Sequence, residues 1–323
     1  MSEDQANDIG DVSPSSLSHL VGQRSVIEQV SVAIDAAFAD NRPMDHCLLV
    51  GPPGLGKSQL ANIIAKEMAT ELHEVLGQSI QSNSDLNCLL LLATAEEKHV
   101  IHVDECHQLK KEFQTALYLA VDQKKILLQT GLAGKSLQPI PLCDFTLLLS
   151  TTDEYALLPP LRDRMKLLLR FDFYSDEELI ILLEQRIHAL GWDVKGDLPA
   201  YIAMRSRGTP RLALRLLQSC RRVCRANGDT TITMDHFARA CDLEGIDNLG
   251  LAITERKYLG LLAEGASRLN VLASMLGLPS RTVAEVIESY LLRSGLVAKD
   301  DQGRRQLTAR GREHLANCGQ WCV

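Results

Sequence analysis

Eight consecutive residues, Gly51-Pro52-Pro53-Gly54-Leu55-Gly56-Lys57-Ser58, bring together the groups that grip a triphosphate. Glycines let the backbone curl until its N–H groups face inward onto phosphate oxygens. A lysine closing the loop reaches the β- and γ-phosphates, and the next serine hydroxyl completes a magnesium site. A second set follows about fifty residues later, where the apolar run from His99 to Val103 ends in Asp104-Glu105. At the end of a buried strand beside a phosphate loop, an aspartate can hold Mg²⁺ through its water shell. The neighbouring glutamate can polarise the attacking water. Alone, the acidic pair would equally suit a solvated turn; the phosphate loop upstream selects the hydrolytic reading. His102, inside that strand, reads as a satisfied histidine on the alternate face.

Three further groups keep two readings each. Thr151-Thr152 close the apolar run Phe145–Ser150, where their hydroxyls either face a γ-phosphate or cap a strand end. Arg162 and Arg164 follow Pro159-Pro160, as a solvated turn or as cations projected into a neighbouring subunit's site. Arg211 stands at a helix amino end opened by Thr209 and Pro210. The dipole there disfavours a cation, so Arg211 is an ordinary surface arginine or one facing a phosphate.

These residues need a parallel α/β scaffold. The short run Cys47–Val50 leads into the phosphate loop and Gln59–Met68 continues it as a helix, the strand–loop–helix order such a loop requires. Helical periodicity is predicted over 25–38, 84–95 and 110–122, with strands near 72–76, 99–103, 145–150 and 167–173. Segments 125–129 and 136–140 flank a turn containing Gly131 and Gly134, a hairpin signal. Ser175 to Glu178 reads as a capping box opening a helix to about Leu190. Helices follow at 199–204, 211–225 and 234–243. Beyond Gly250, three short helices and a two-stranded ribbon around Gly303 describe a winged helix.

Composition narrows the classes further. The net charge of −7 excludes a generically basic nucleic-acid binder, although residues 249–323 hold ten Lys/Arg against seven Asp/Glu. No apolar run is long enough to span a membrane, and the first sixteen residues form an acidic, polar tail without export features. The nine cysteines are scattered; Cys220 and Cys224 read as small buried residues, and reduced thiols place the chain in the cytoplasm.

Taken together, the chain resembles the RuvB family, bacterial AAA+ motors of Holliday-junction branch migration. The likeness runs from about Pro14 to Leu315. It is carried by Asp45-His46, the loop Gly51–Lys57, Phe145-Thr146-Leu147, Thr151-Thr152, Leu161–Arg164, Phe173-Tyr174, Arg205–Arg211 and Tyr290-Leu291-Leu292. It implies an AAA+ P-loop NTPase: an αβα sandwich on a parallel sheet over 17–173, a helical lid over 174–248 and a C-terminal winged helix over 249–323 that binds DNA. It also implies a homohexameric ring using ATP and Mg²⁺, acting on double-stranded DNA and Holliday junctions with a RuvA-like protein docked on the 125–140 hairpin.

Position by position, the resemblance assigns phosphates and Mg²⁺ to Lys57 and Ser58, with Gly54, Gly56 and Gln59 lining the loop. Asp104 and Glu105 become the metal-holding and water-polarising pair, with Ser58 and Asp104 as the metal's residues, and Thr152 becomes the first sensor. Arg164 becomes the finger, Arg211 the second sensor, and Tyr174 lines the nucleotide pocket. Val12, Ser13, Val121, Asp122 and Gln123 also fall at its nucleotide-binding positions, and Lys299 and Arg304 where its wing meets DNA. Four places depart from the pattern, one of them the 125–140 hairpin, which has the expected length but another sequence. Ser13-Pro14 replaces an Arg-Pro pair, and Asp122 lacks its acidic and aromatic neighbours. The wing turn reads Lys299-Asp300-Asp301-Gln302-Gly303-Arg304 where the family has an Arg-Thr-Pro-Arg-Gly-Arg type. Added carboxylates repel phosphate, so the alternative is an AAA+ remodeller, clamp-loader-like, acting on a protein partner.

Overall fold

The computed structural model describes residues 9, 12–92, 99–130 and 136–317. Most of the expected tail, the hairpin turn 131–135 and the end of the helix expected to reach Ala95 lie outside the described residues. The chain forms two compact units, one up to Glu178 and one from Leu179 onward. Among the described residues, no helix is long and apolar enough to cross a membrane.

The first unit runs α1 (Arg24–Ala39), β1 (Cys47–Val50), α2 (Lys57–Glu67), β2 (Glu71–Leu76), α3 (Asn83–Leu91), β3 (His99–Asp104) and α4 (Lys111–Gln123). It continues through β4 (Lys125–Thr130), β5 (Ser136–Pro141), β6 (Phe145–Thr151), α5 (Pro159–Arg162), β7 (Leu167–Arg170) and the start of α6 (Asp176–Ala189). Five strands form one sheet in the order β2-β3-β6-β1-β7, all parallel. β1 and β6 are buried nearly end to end, which is why they read as unbroken apolar runs. All five strands run the same way, so everything after β1, β3 and β6 collects along one rim of the sheet. β4 and β5 pair antiparallel as the expected hairpin. The capping box opening α6 is present, with Glu178 N–H donating to Ser175 Oγ at 3.2 Å and Ser175 N–H to Glu178 Oε2 at 3.0 Å.

The second unit holds the rest of α6, then β8 (Asp193–Val194), α7 (Leu198–Arg205), α8 (Pro210–Ala226), β9 (Thr231–Ile232) and α9 (Met234–Glu244). It ends with α10 (Ile253–Ala263), α11 (Leu269–Leu276), α12 (Ser280–Thr282), a π-helical stretch (Val283–Glu288), α13 (Ser289–Arg293), β10 (Val297–Lys299), β11 (Arg305–Leu307) and α14 (Ala309–Asn317). α10 to β11 make the expected winged helix, and α14 is an addition that periodicity did not reveal. The distinctive Arg205–Arg211 segment joins the two halves of this unit. Arg207, in the left-handed region at φ +55°, donates from Nη1 to Glu255 Oε1 at 2.8 Å and from Nε to Gly250 O at 2.8 Å. Arg293 in turn donates to the Arg207 carbonyl at 2.6 Å.

Glu288 anchors the wing. Its carboxylate is 1% exposed and accepts from Arg305 Nε at 2.5 Å, from Arg305 Nη2 at 3.1 Å and from Tyr258 OH at 2.6 Å, with Lys299 Nζ at 3.7 Å. Burial pushes its pKa up, but the Arg305 and Tyr258 hydrogen bonds and the nearby cations bring it below the ordinary value. A carboxyl whose folded pKa is depressed stabilises the fold above its unfolded pKa, and that contribution fades as pH falls through the folded one. Glu288→Ala removes the carboxylate from half-buried Arg305 and the acceptor from buried Tyr258, and is expected to destabilise the winged helix by about 3–5 kcal/mol at neutral pH. Hydrogen exchange at Val297–Lys299 should accelerate accordingly, and unchanged protection would refute the anchoring role.

Candidate nucleotide hydrolysis site

Left-handed backbone builds the phosphate loop. Gly54 and Gly56 have φ +81° and +101°, values an L side chain resists, and Gly56 caps α2 so that the helix's first N–H groups open toward the loop. Lys57 is buried and lays its ammonium across the loop, donating to Gly51 O at 2.7 Å and Pro52 O at 2.9 Å. An incoming phosphate would exchange those carbonyls for charged oxygens. Gln59 points to the other flank, donating from Nε2 to Pro14 O at 3.0 Å and so tying 12–16 to α2. Val12 is half-buried and Ser13 exposed beside that tie.

Tyr174 closes the same side. Its ring is buried, its hydroxyl lies 3.5 Å from Leu55 O, and burial pushes its pKa up to about 12. A Cβ at Gly22 would lie 2.6 Å from that ring. Together with Leu20, Val21, Leu55 and Gly56, Tyr174 lines a narrow crevice beside the phosphate loop.

β3 delivers the acidic pair to this rim. Ser58 Oγ donates to Asp104 Oδ2 at 3.2 Å, while Asp104 Oδ1 accepts from Ser150 Oγ at 2.5 Å and from Glu105 N–H at 2.9 Å. Burial raises the Asp104 pKa, but Ser150, His102 and those donors outweigh it and hold the carboxylate below its usual range. Behind Ser150 stands His102, fully buried, with Nε2 at 2.8 Å from Ser150 Oγ and Nδ1 at 3.0 Å from Glu74 Oε1. Burial holds its pKa down against the upward pull of Glu74 and Asp104. His102 is therefore satisfied on the alternate face, as its place in the strand predicts. Sequence reasoning missed Ser150 and Glu74; only register shows them, since Glu74 opposes His102 across β2 and β3.

Glu105 follows directly at φ +50°, rare for a residue with a side chain and the kind of strain found at active sites. Its Oε2 lies 3.3 Å from His107 Nδ1, which is also 3.1 Å from Thr151 Oγ1. Thr151 is buried, whereas Thr152 is exposed one residue past β6, beside the rim where Gly51 N–H donates to Thr151 O. The backbone under Glu105 is held closely by Gly77, where a Cβ would sit 2.7 Å from Glu105 O. Gly77→Ala is thus expected to displace the glutamate and slow turnover by on the order of 10²-fold while ATP affinity stays near its original value. Calorimetric affinity and steady-state rate together check this; a raised KM at unchanged kcat would refute it.

The remaining expected residues lie elsewhere. Arg164 stands at the opposite rim, in a pocket with Arg42–His46, which precede β1, and Phe145, which begins β6. Asp122 grips it there, with both carboxylate oxygens 2.9 Å from Nε, and Arg164 Nη1 donates to Pro160 O at 2.8 Å. Val121 is half-buried and Gln123 exposed at the same end of α4. Arg164 and residues 121–123 are therefore brought together, but away from their own phosphate loop. Arg211 is exposed at the amino end of α8, and its side chain makes no hydrogen bond or ion pair among the described residues. On the wing, Arg304 Nε donates to Asp300 Oδ2 at 2.8 Å and Lys299 leans on Glu288.

Comparison with known proteins finds one family along most of the chain. Three family models match: the Holliday junction DNA helicase RuvB P-loop domain over 12–171, the RuvB AAA lid domain over 174–247 and the RuvB C-terminal winged helix domain over 248–316. The Holliday junction branch migration complex subunit RuvB of Kosmotoga olearia is 35% identical over 308 residues, covering 94% of this chain and 89% of that protein. Its counterpart from Fervidobacterium nodosum is 35% identical over 297 residues, covering 90% and 85%. Among solved structures, the Thermotoga maritima RuvB branch migration motor superposes with a TM-score of 0.79 at 33% identity, covering 94% of this chain and 97% of that one. A point variant of the same motor gives a TM-score of 0.82 at 33% identity, covering 94% and 99%.

Proposed function

The chain belongs to the RuvB family, and from that membership we propose that it is an ATP-driven motor of Holliday-junction branch migration, working as a ring on duplex DNA with a RuvA-like partner. The observation that carries the ATPase half is Ser58 and Asp104 facing each other at 3.2 Å beside the phosphate loop. A hydroxyl and a carboxylate are hard oxygen donors and fit Mg²⁺. When bound, the ion neutralises charge on the β- and γ-phosphate oxygens. Lys57 leaves its loop carbonyls for the phosphates, Tyr174 and the 12–14 segment flank the base, Glu105 orients and polarises water, and Thr152 faces the γ-phosphate.

Ring assembly is supported by Arg164. Leu167, which opens β7, opposes Cys47 at the start of β1, whereas the phosphate loop leaves the other end of that strand. A guanidinium on the amino-end rim serves a neighbouring subunit's nucleotide better than its own. Arg211, exposed at the start of α8 and without a side-chain partner among the described residues, is suited to a phosphate for the reason that makes it costly without one.

The motor half is tested by ATPase rate at low salt with and without duplex or four-way-junction DNA. Stimulation that fades as salt rises is expected. Lys299→Ala and Arg304→Ala should each flatten the log–log salt dependence of DNA affinity by roughly one phosphate's worth. Both cations are themselves nearly half-exposed, and Lys299 stands 3.7 Å from Glu288, so phosphate can compete for them. ATPase indifferent to DNA under all these conditions would overturn the DNA motor. It would favour instead a remodeller of a protein partner, a reading that Asp300 and Asp301 on the wing support.

A further inference from the structure

We propose that Glu71, His73 and His99 form a binding site for a divalent transition-metal ion of zinc's class. The site is separate from the nucleotide centre. Glu71 opposes His99 across β2 and β3, and His73 lies two residues along β2, so all three side chains share one face of the edge strand pair. One ligand atom from each lies within 4.8 Å of the others. His73 Nε2 is 3.1 Å from His99 Nδ1 and 3.8 Å from Glu71 Oε2. Nitrogens held about 2.0–2.1 Å from a tetrahedral zinc are a little over 3 Å apart, close to the spacing already present.

His99 is 93% buried and turns its Nδ1 toward His73 Nε2, so the two ring nitrogens that face each other are the ones a cation would take. A shared cation would turn both facing nitrogens into ligands, and the exposed Glu71 carboxylate would supply charge and a third ligand. Two imidazoles select zinc, cobalt or nickel over magnesium, which prefers oxygen. His99 and Asp104 lie at opposite ends of β3, roughly 16 Å apart at strand rise, so the two ions would not share ligands. Joining the edge strand to its neighbour, the ion would brace β2, with water in the fourth position.

The test uses the full, reduced chain stripped with chelator and titrated with Co²⁺ under saturating Mg²⁺, which occupies oxygen-only sites. One equivalent should bind with the visible bands of a tetrahedral nitrogen–oxygen set, and Zn²⁺ should displace it. Cys88 and Cys143 are exposed thiols, so a thiolate-to-cobalt charge-transfer band would overturn the assignment. His73→Gln and His99→Gln should abolish uptake, and Glu71→Gln should weaken it at least tenfold. Because Glu71 is exposed, its variant keeps the test open if a histidine variant misfolds. No uptake, or uptake unchanged in Glu71→Gln and in every folded histidine variant, would also overturn it.

Discussion

Arg164→Ala is expected to reduce ATP turnover by roughly 10³–10⁵-fold, the range in which arginine fingers act, while ATP affinity changes little. In the proposed ring the guanidinium would stabilise charge that develops on the transferring phosphoryl group, and would meet it only when a neighbour's site is presented. In the isolated chain Arg164 is held by Asp122, stacked 5.0 Å from the Tyr118 ring centroid, and faces the amino-end rim. That side chain lies at the end of β1 away from its own phosphate loop. Mixing therefore gives a sharper test than the single variant. An Arg164→Ala subunit keeps Glu105, and a Glu105→Gln subunit keeps Arg164, so some interfaces in a mixed ring recover both groups. Turnover should rise well above either variant alone and peak near equal proportions. Rings shown by crosslinking to be mixed, yet no more active than their parents, would remove Arg164 from this role.

The phosphate loop was legible because each residue does a job that few others can do. Gly56 needs its positive φ, Lys57 its charge, and Ser58 its small hydroxyl. The parallel sheet was legible for a related reason: strands buried on both faces tolerate few polar residues, so β1, β3 and β6 stand out as apolar runs. The network behind Asp104 was not. Ser150 looks like any small residue ending a strand, and nothing local relates it to Glu74, more than seventy residues earlier. Register alone brings Glu74, His102, Ser150 and Asp104 into one line.

α14 shows the opposite failure. A Cβ at Gly311 would lie 2.2 Å from Leu296 O, so glycine is what lets this helix pack beside β10, a contact that no helical period announces. The metals at stake differ as well. Ser58 and Asp104 could be paired through a known motif, whereas Glu71, His73 and His99 meet only across two strands. Arg164 shows a further limit: the role proposed for it acts on another copy of the chain, and no intrachain pattern encodes such a distance.

Glu105→Gln is expected to leave ATP binding close to its original strength and to lower turnover by roughly 10²–10⁴-fold. The exchange keeps the volume and the donor–acceptor reach of the side chain and removes its basicity. Affinity should survive because the residues proposed to hold the phosphates are Lys57, Ser58 and the loop N–H groups, while Glu105 stands beyond them at the end of β3. The rate should fall because an amide cannot take the proton of an attacking water. Position sharpens the expectation. Glu105 is fixed by its strained φ, by Gly77 beneath its carbonyl and by His107 at 3.3 Å, so another group cannot readily take its place. Asp104, the nearest carboxylate, already accepts from Ser58, Ser150 and the Glu105 N–H. Single-turnover hydrolysis separates chemistry from product release: the variant should trap bound ATP with a slow hydrolytic phase. A fast phase at the original rate, with only steady-state turnover reduced, would place Glu105 in product release and leave the water to another base, with His107 the nearest to examine.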